Sequence, residues 1–222
     1  MTAADGRAAA LAAVAARLPG SAAERAAAAE RRLAERPRGP GLAHVAAAAK
    51  AGTLAETFCA AASASGATVL RTAGAAASEA AIRKILAEHA PAGPVVRADL
   101  PRFAGLDDRP GGAHAGAAQP EDAAGVTRAA AGIAETGSVV LASDPETPTS
   151  LNFLPAIHIV TLSAAAIHAG LDDALAALRG PGRRPRTVNL ITGPSRTGDI
   201  ELTLQVGVHG PRAIFILVED DD

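Results

Sequence analysis

The chain has 222 residues, 21 Lys and Arg against 23 Asp and Glu, and 49% hydrophobic residues, so it can bury a sizeable core at a net charge of only −2. Four Phe are its whole aromatic content, with no Trp or Tyr. The stacking platforms and the cationic footprint of a nucleic-acid binder are therefore both missing. The single cysteine, Cys59, excludes an internal disulfide and any cluster held by several cysteines of this chain.

Cys59 lies in an Ala-rich helical pattern and reads as a small buried hydrophobe rather than a reactive thiol. The N-terminus lacks the compact apolar core of a secretory signal, and no run approaches the ~20 apolar residues of a membrane span. The expectation is a cytoplasmic protein with no membrane insertion.

In chain order, Ala3 to Leu18 and Ser21 to Arg36 read as helices, rich in Ala, Leu, Arg and Glu and parted by Pro19-Gly20. Ser21 and Glu24 have capping-box spacing. Arg36 to Gly41 reads as a linker, so residues 1–41 form an N-terminal helical arm and 42–222 the main domain. Within that domain Thr53 to Ala64 is predicted helical, Ala67 to Arg71 a strand, Ala75 to Glu88 a helix and Pro94 to Arg97 a strand. Asp99 to Pro120, rich in Pro, Gly and Asp, reads as one long loop. Strands are then predicted at Ala134 to Ala142, Ile157 to Leu162, Thr187 to Thr192 and Arg212 to Val218. The last three are continuous apolar runs, as in strands buried on both faces. Leu171 to Leu178 is helical, and the acidic end from Glu219 to Asp222 reads as a solvated tail. Strands alternating with helices predict an α/β fold, a mostly parallel sheet with helices on both faces.

Polar residues collect at three places. Glu135-Thr136-Gly137-Ser138 precedes the apolar run from Val139. Glu135 there suits a base, a nucleophile or a substrate-binding carboxylate, and a plain polar turn is the alternative. The loop from Gly193 to Asp199 stands where a strand is expected to end and a helix to begin. Ser195, Arg196 and Thr197 with backbone amides would make an anion site there, whereas Thr197 or Asp199 as helix cap is the competing reading. Gly193 and Gly198 have phosphate-loop spacing, but Asp199 replaces the lysine and Ile200 the magnesium-binding hydroxyl, which excludes a nucleotide triphosphatase on this motif. His209, between Val208 and Gly210, and His158, heading a strand, are the histidines considered for a site. The other four read as surface or structural, and no spacing demands a metal. There is no G-x-S-x-G, H-E-x-x-H or G-x-G-x-x-G motif.

IAETGSVVL (Ile133 to Leu141), HIV (His158 to Val160), ITGPSRTGDIELTL (Ile191 to Leu204) and GVHGPR (Gly207 to Arg212) together resemble the LUD-domain family in order and spacing. FCAAASASGATV and GVT upstream add weaker matches, so the resemblance spans roughly Thr53 to Glu219. It implies a fold like that of ribose-5-phosphate isomerase and the CoA transferases. It also implies a role in oxidising L-lactate to pyruvate beside iron–sulfur partner proteins, which would carry the redox clusters and leave this chain without a cofactor. Glu135 and His209 become the catalytic candidates. Thr136, Gly137, Ser138, Gly193, Ser195, Arg196, Thr197 and Asp199 become the candidates for binding a small carboxylate or phosphate-like anion. The wider fold leaves one alternative open, a stand-alone enzyme on a phosphorylated sugar or acyl-CoA with Glu135 as base or nucleophile. The chain departs from the family pattern after Thr127 and after Leu141, where the pocket would be altered in detail.

Overall fold

A computed structural model describes residues 3–35, 41–179, 185–197, 205–207 and 209–220. Two compact units divide the chain, Met1–Pro40 and Gly41–Asp222. The first contains helices α1 (Ala3–Ala15) and α2 (Ala22–Glu35). The predicted capping box forms at the start of α2. The Ser21 N–H donates to Glu24 Oε2 at 2.7 Å, and the Glu24 N–H donates to Ser21 Oγ at 3.2 Å.

The second unit opens with α3 (Ala43–Ala51) and α4 (Leu54–Ala64), and continues through β1 (Thr68–Ala73), α5 (Gly74–His89) and β2 (Val95–Arg97). There follow β3 (Ala113–Ala115), β4 (Ala124–Arg128), β5 (Ala131–Ile133), β6 (Ser138–Ala142), β7 (Ile157–Ser163), β8 (Ile167–His168), α6 (Leu171–Ala177) and β9 (Val188–Ile191). The last strands are β10 (Arg196–Thr197), β11 (Gln205–Val206) and β12 (Ala213–Asp220). Six strands make one wholly parallel sheet in the order β1-β12-β7-β4-β2-β3. A smaller sheet, β8-β5-β6-β9, is mixed, with β5–β6 and β6–β9 antiparallel.

The predicted α/β architecture is what forms. Alternate residues of β7 and β12 face opposite ways, and both sets are apolar because both faces are covered. Ile157, Ile159, Phe215 and Leu217 pack with Ile82, Ile85 and Leu86 of α5, whose i, i+3, i+4 spacing gives one apolar stripe. Val160, Leu162, Ile214, Ile216 and Val218 pack on the other face with Val45 of α3, Phe58 and Ala62 of α4, and Val139 and Leu141 of the small sheet. Cys59 is half-buried against that second cluster, and burial pushes its thiol pKa up, as suits a packing residue.

Four expectations change. The stretch from Asp99 to Pro120 is no plain loop. It holds a 3₁₀ helix, Pro101–Asp108, and β3. Phe103 and Leu106, three apart and buried, share one face of that tight helix, and Arg97 donates to Asp107 at 2.7 and 2.8 Å. The strand expected from Ala134 begins only at Ser138, because residues 134–137 turn through Gly137 at φ 66°. The strand at Thr187 to Thr192 is not buried on both faces. β9 is an edge strand of the small sheet and leaves Val188 and Leu190 exposed. Finally, Glu219 is no tail residue. It ends the register of β12 with β7 at 6% exposure, and Arg102 grips it with two hydrogen bonds.

Candidate functional site

The loop after β9 leaves an antiparallel edge strand of the small mixed sheet, not the parallel sheet, so the rule that ligands sit outside the carboxyl ends of parallel strands does not apply to it. The helix expected after it falls on residues outside the described ones. The flanking pairs Arg196–Thr197 and Gln205–Val206 instead form an antiparallel ribbon. Gly193 turns this loop at φ 76°, and a Cβ there would stand 2.1 Å from the Ser65 carbonyl oxygen at the end of α4. Glycine is what lets the loop lie flat on that helix end.

Backbone hydrogen bonds then stitch this loop to the second one. The Ser195 N–H donates to Pro211 O at 2.9 Å and the Gly207 N–H to Ser195 O at 3.0 Å, while the Arg212 N–H reaches Ala156 O at 2.9 Å. Together the loops wall a cleft of about 240 Å³, lined by Asn152, Phe153, His158, Leu190, Ile191, Thr192, Gly193, Ser195, His209, Gly210, Pro211 and Ile214. Three segments far apart in sequence thus meet at the amino-terminal ends of β7 and β12.

His158 is fully buried in this wall, and its Nε2 lies 2.8 Å from Thr127 Oγ1 of β4. Its Nδ1 is buried without a hydrogen-bond partner among the described residues. Burial alone pushes its pKa down to about 3, so the imidazole is neutral at physiological pH. His209 is exposed at the cleft. Behind the wall runs a short hydroxyl relay, in which Thr136 Oγ1 meets Ser138 Oγ at 2.6 Å and Ser138 in turn bonds Thr192.

Of the candidates read from sequence, Gly193, Ser195 and His209 line the cleft, and Thr136 and Ser138 reach it through Thr192. Gly137 serves packing: a Cβ there would meet Ala62 N at 2.1 Å and Ala61 C at 2.5 Å. Glu135 is half-buried on the β5–β6 turn, its N–H on Ala169 O at 3.1 Å and its carboxylate beside Gly170. It does not line the cleft. Arg196 lays its guanidinium over Gly66, where an added Cβ would sit 2.2 Å from Nη2. Thr197 is in β10, and Asp199 lies outside the described residues.

Sequence reasoning missed Asn152 and Thr192, both cleft residues. Asn152 carried a signal, a lone amide in the apolar stretch Leu151 to Pro155 before a buried strand. The carboxyl ends of the parallel strands hold a different polar hollow of about 260 Å³, with Arg128, Asp144, Thr147 and Ser163 in its lining. A larger open hollow of about 720 Å³ beside loops 143–149 and 185–187 contains none of the motif residues. Among the described residues no group of three or more His, Cys, Asp or Glu could hold a metal ion, and no helix is long and apolar enough to cross a membrane.

Residues 121–218 match the LUD domain family. Over 100 residues the chain is 38% identical to lactate utilization protein C of Shouchella clausii, covering 43% of this chain and 44% of that protein. It is 39% identical over 95 residues to an uncharacterized protein of Neisseria meningitidis, covering 42% and 41%. The matched stretch thus spans somewhat over two fifths of the length of these relatives. A solved DUF162 family protein from Deinococcus radiodurans shares the fold at a TM-score of 0.52 and 21% identity, over 77% of this chain and 98% of that one. The described cleft residues, from Asn152 to Ile214, all fall within the stretch 121–218 that matches the LUD domain family.

Proposed function

We propose that the chain acts as an accessory subunit of a cytoplasmic L-lactate utilization system, binding a small carboxylate in the cleft between the Gly193–Ser195 and His209–Pro211 loops. Iron–sulfur partner proteins would hold the redox clusters and oxidise lactate to pyruvate, and this chain would contribute no cofactor. The observation that carries the reading is the convergence of Gly193, Ser195, His209 and His158 on one cleft. The similarity to relatives named lactate utilization protein C supports the pathway.

The chemistry fits a weakly held anion. A hydroxyl at Ser195 and an imidazole at His209 can donate to a carboxylate, and among the described lining residues no acidic side chain opposes it. Titrating the purified chain with L-lactate and with pyruvate by calorimetry tests the binding half. Ser195→Ala and His209→Ala are each expected to weaken it by about tenfold, the worth of one charge-assisted hydrogen bond. Deleting the gene and growing cells on L-lactate tests the pathway half, and undiminished growth without a paralogue refutes it.

A further inference from the structure

The inner wall of the cleft contains two polar side chains that a carboxylate held by Ser195 and His209 leaves unused. His158 spends Nε2 on Thr127 and keeps Nδ1 buried with no partner among the described residues. Asn152, at 6% exposure in the 3₁₀ turn Thr149–Asn152, lines the same wall, and its amide bonds no described residue. Folding strips water from the His158 nitrogen at a cost that only a hydrogen bond returns, so this orphaned group beside the Asn152 amide marks where a ligand supplies one.

The lining also restricts the ligand. Among the described residues it has no Lys, Arg, Asp or Glu, so a multiply charged phosphate would find no counter-charge from them. At about 240 Å³ the cleft lies below the range for drug-sized ligands and suits a molecule of a few heavy atoms. An amide and a neutral imidazole offer donors and acceptors without charge, which matches a carbonyl or hydroxyl oxygen. His158 is sealed from water, so a ligand reaches it by displacing a neighbour in the wall.

We propose that Asn152 and His158 read an oxygen on the carbon next to the carboxylate, making the cleft selective for 2-hydroxy and 2-oxo monocarboxylates over acids that lack that oxygen. This rests on the reading of the cleft as a carboxylate site. The test is calorimetric titration of the full chain with L-lactate, pyruvate and propionate, with ¹⁵N NMR of the histidine side chains alongside. L-lactate or pyruvate should bind about tenfold or more tightly than propionate, because the analogue leaves both groups unpaired. Asn152→Ala should narrow that preference several-fold and leave propionate affinity nearly unchanged. In the unaltered protein the His158 Nδ1 signal should move with L-lactate or pyruvate and stay in place with propionate, a readout that needs no substitution in the core. Equal affinity for all three acids overturns the inference and leaves the carboxylate reading standing. A preference that survives Asn152→Ala with His158 Nδ1 unmoved overturns it too. If none of the three binds, the carboxylate reading falls and takes the inference with it.

Discussion

At the scale of single residues, His158 ties the site to the stability of the whole unit. Its unfolded form takes up a proton near 6.5 and its buried form only at about 3. Between those values the unfolded chain binds more protons, so this residue makes stability fall as pH falls through that window. Melting curves across it should therefore slope less steeply in His158→Gln than in the parent, and equal slopes would sink this account. Gly137 offers a second case. It combines φ 66° with a Cβ position 2.1 Å from Ala62 N, so Gly137→Ala should cost about 3 kcal/mol or more in chemical denaturation. Gly112, at φ 73° with nothing within 4 Å, is the control, and its alanine variant should cost only about 1 kcal/mol. Similar losses at the two glycines would show that the clash with α4 is relieved.

At the scale of elements, the 3₁₀ helix Pro101–Asp108 is held against the parallel sheet by arginine–carboxylate pairs. Arg102 reaches Glu219 at the end of β12, and Arg97 at the end of β2 reaches Asp107. The guanidinium beside Asp107 holds its carboxyl below the usual aspartate range. Glu219 has only 8% of its side chain exposed, so Arg102→Ala strands a buried carboxylate and should cost about 3 kcal/mol. The double variant with Glu219→Gln should recover much of that loss, and thermal melting of the three forms decides it. These same elements mark the limit of what the sequence showed. β7, β12, α4 and α5 were legible because their apolar runs and stripes reach the core directly. The 3₁₀ helix was not, because only Phe103 and Leu106 signal it, inside a stretch whose Pro, Gly and Asp speak for a loop. Glu219 misled because local sequence shows its charge and not Arg102, 117 residues away. The site was half legible for the same reason. Gly193, Ser195 and His209 announce themselves as polar loop residues. Asn152 and the orphaned nitrogen of His158 acquire meaning only when β7 brings them to that wall.

For the molecule as a whole, every described buried core residue belongs to the unit from Gly41 onward, beginning with Val45. A chain lacking residues 1–40 should accordingly fold by itself, melt within about 2 °C of the full chain and bind L-lactate equally well. A collapse of its melting transition would assign the α1–α2 unit a structural duty that its own burial does not show. The order of the parallel sheet has a consequence for how the protein comes into being. β12, after all its neighbours in sequence, lies between β1 and β7 and pairs with both. On the ribosome, β1 and β7 emerge before the strand that joins them, each with the edge that β12 will pair left open. Until β12 clears the exit tunnel, β1 is a lone strand and β7 the open rim of a four-stranded sheet, the kind of intermediate that holding chaperones shield and that aggregates when translation stalls.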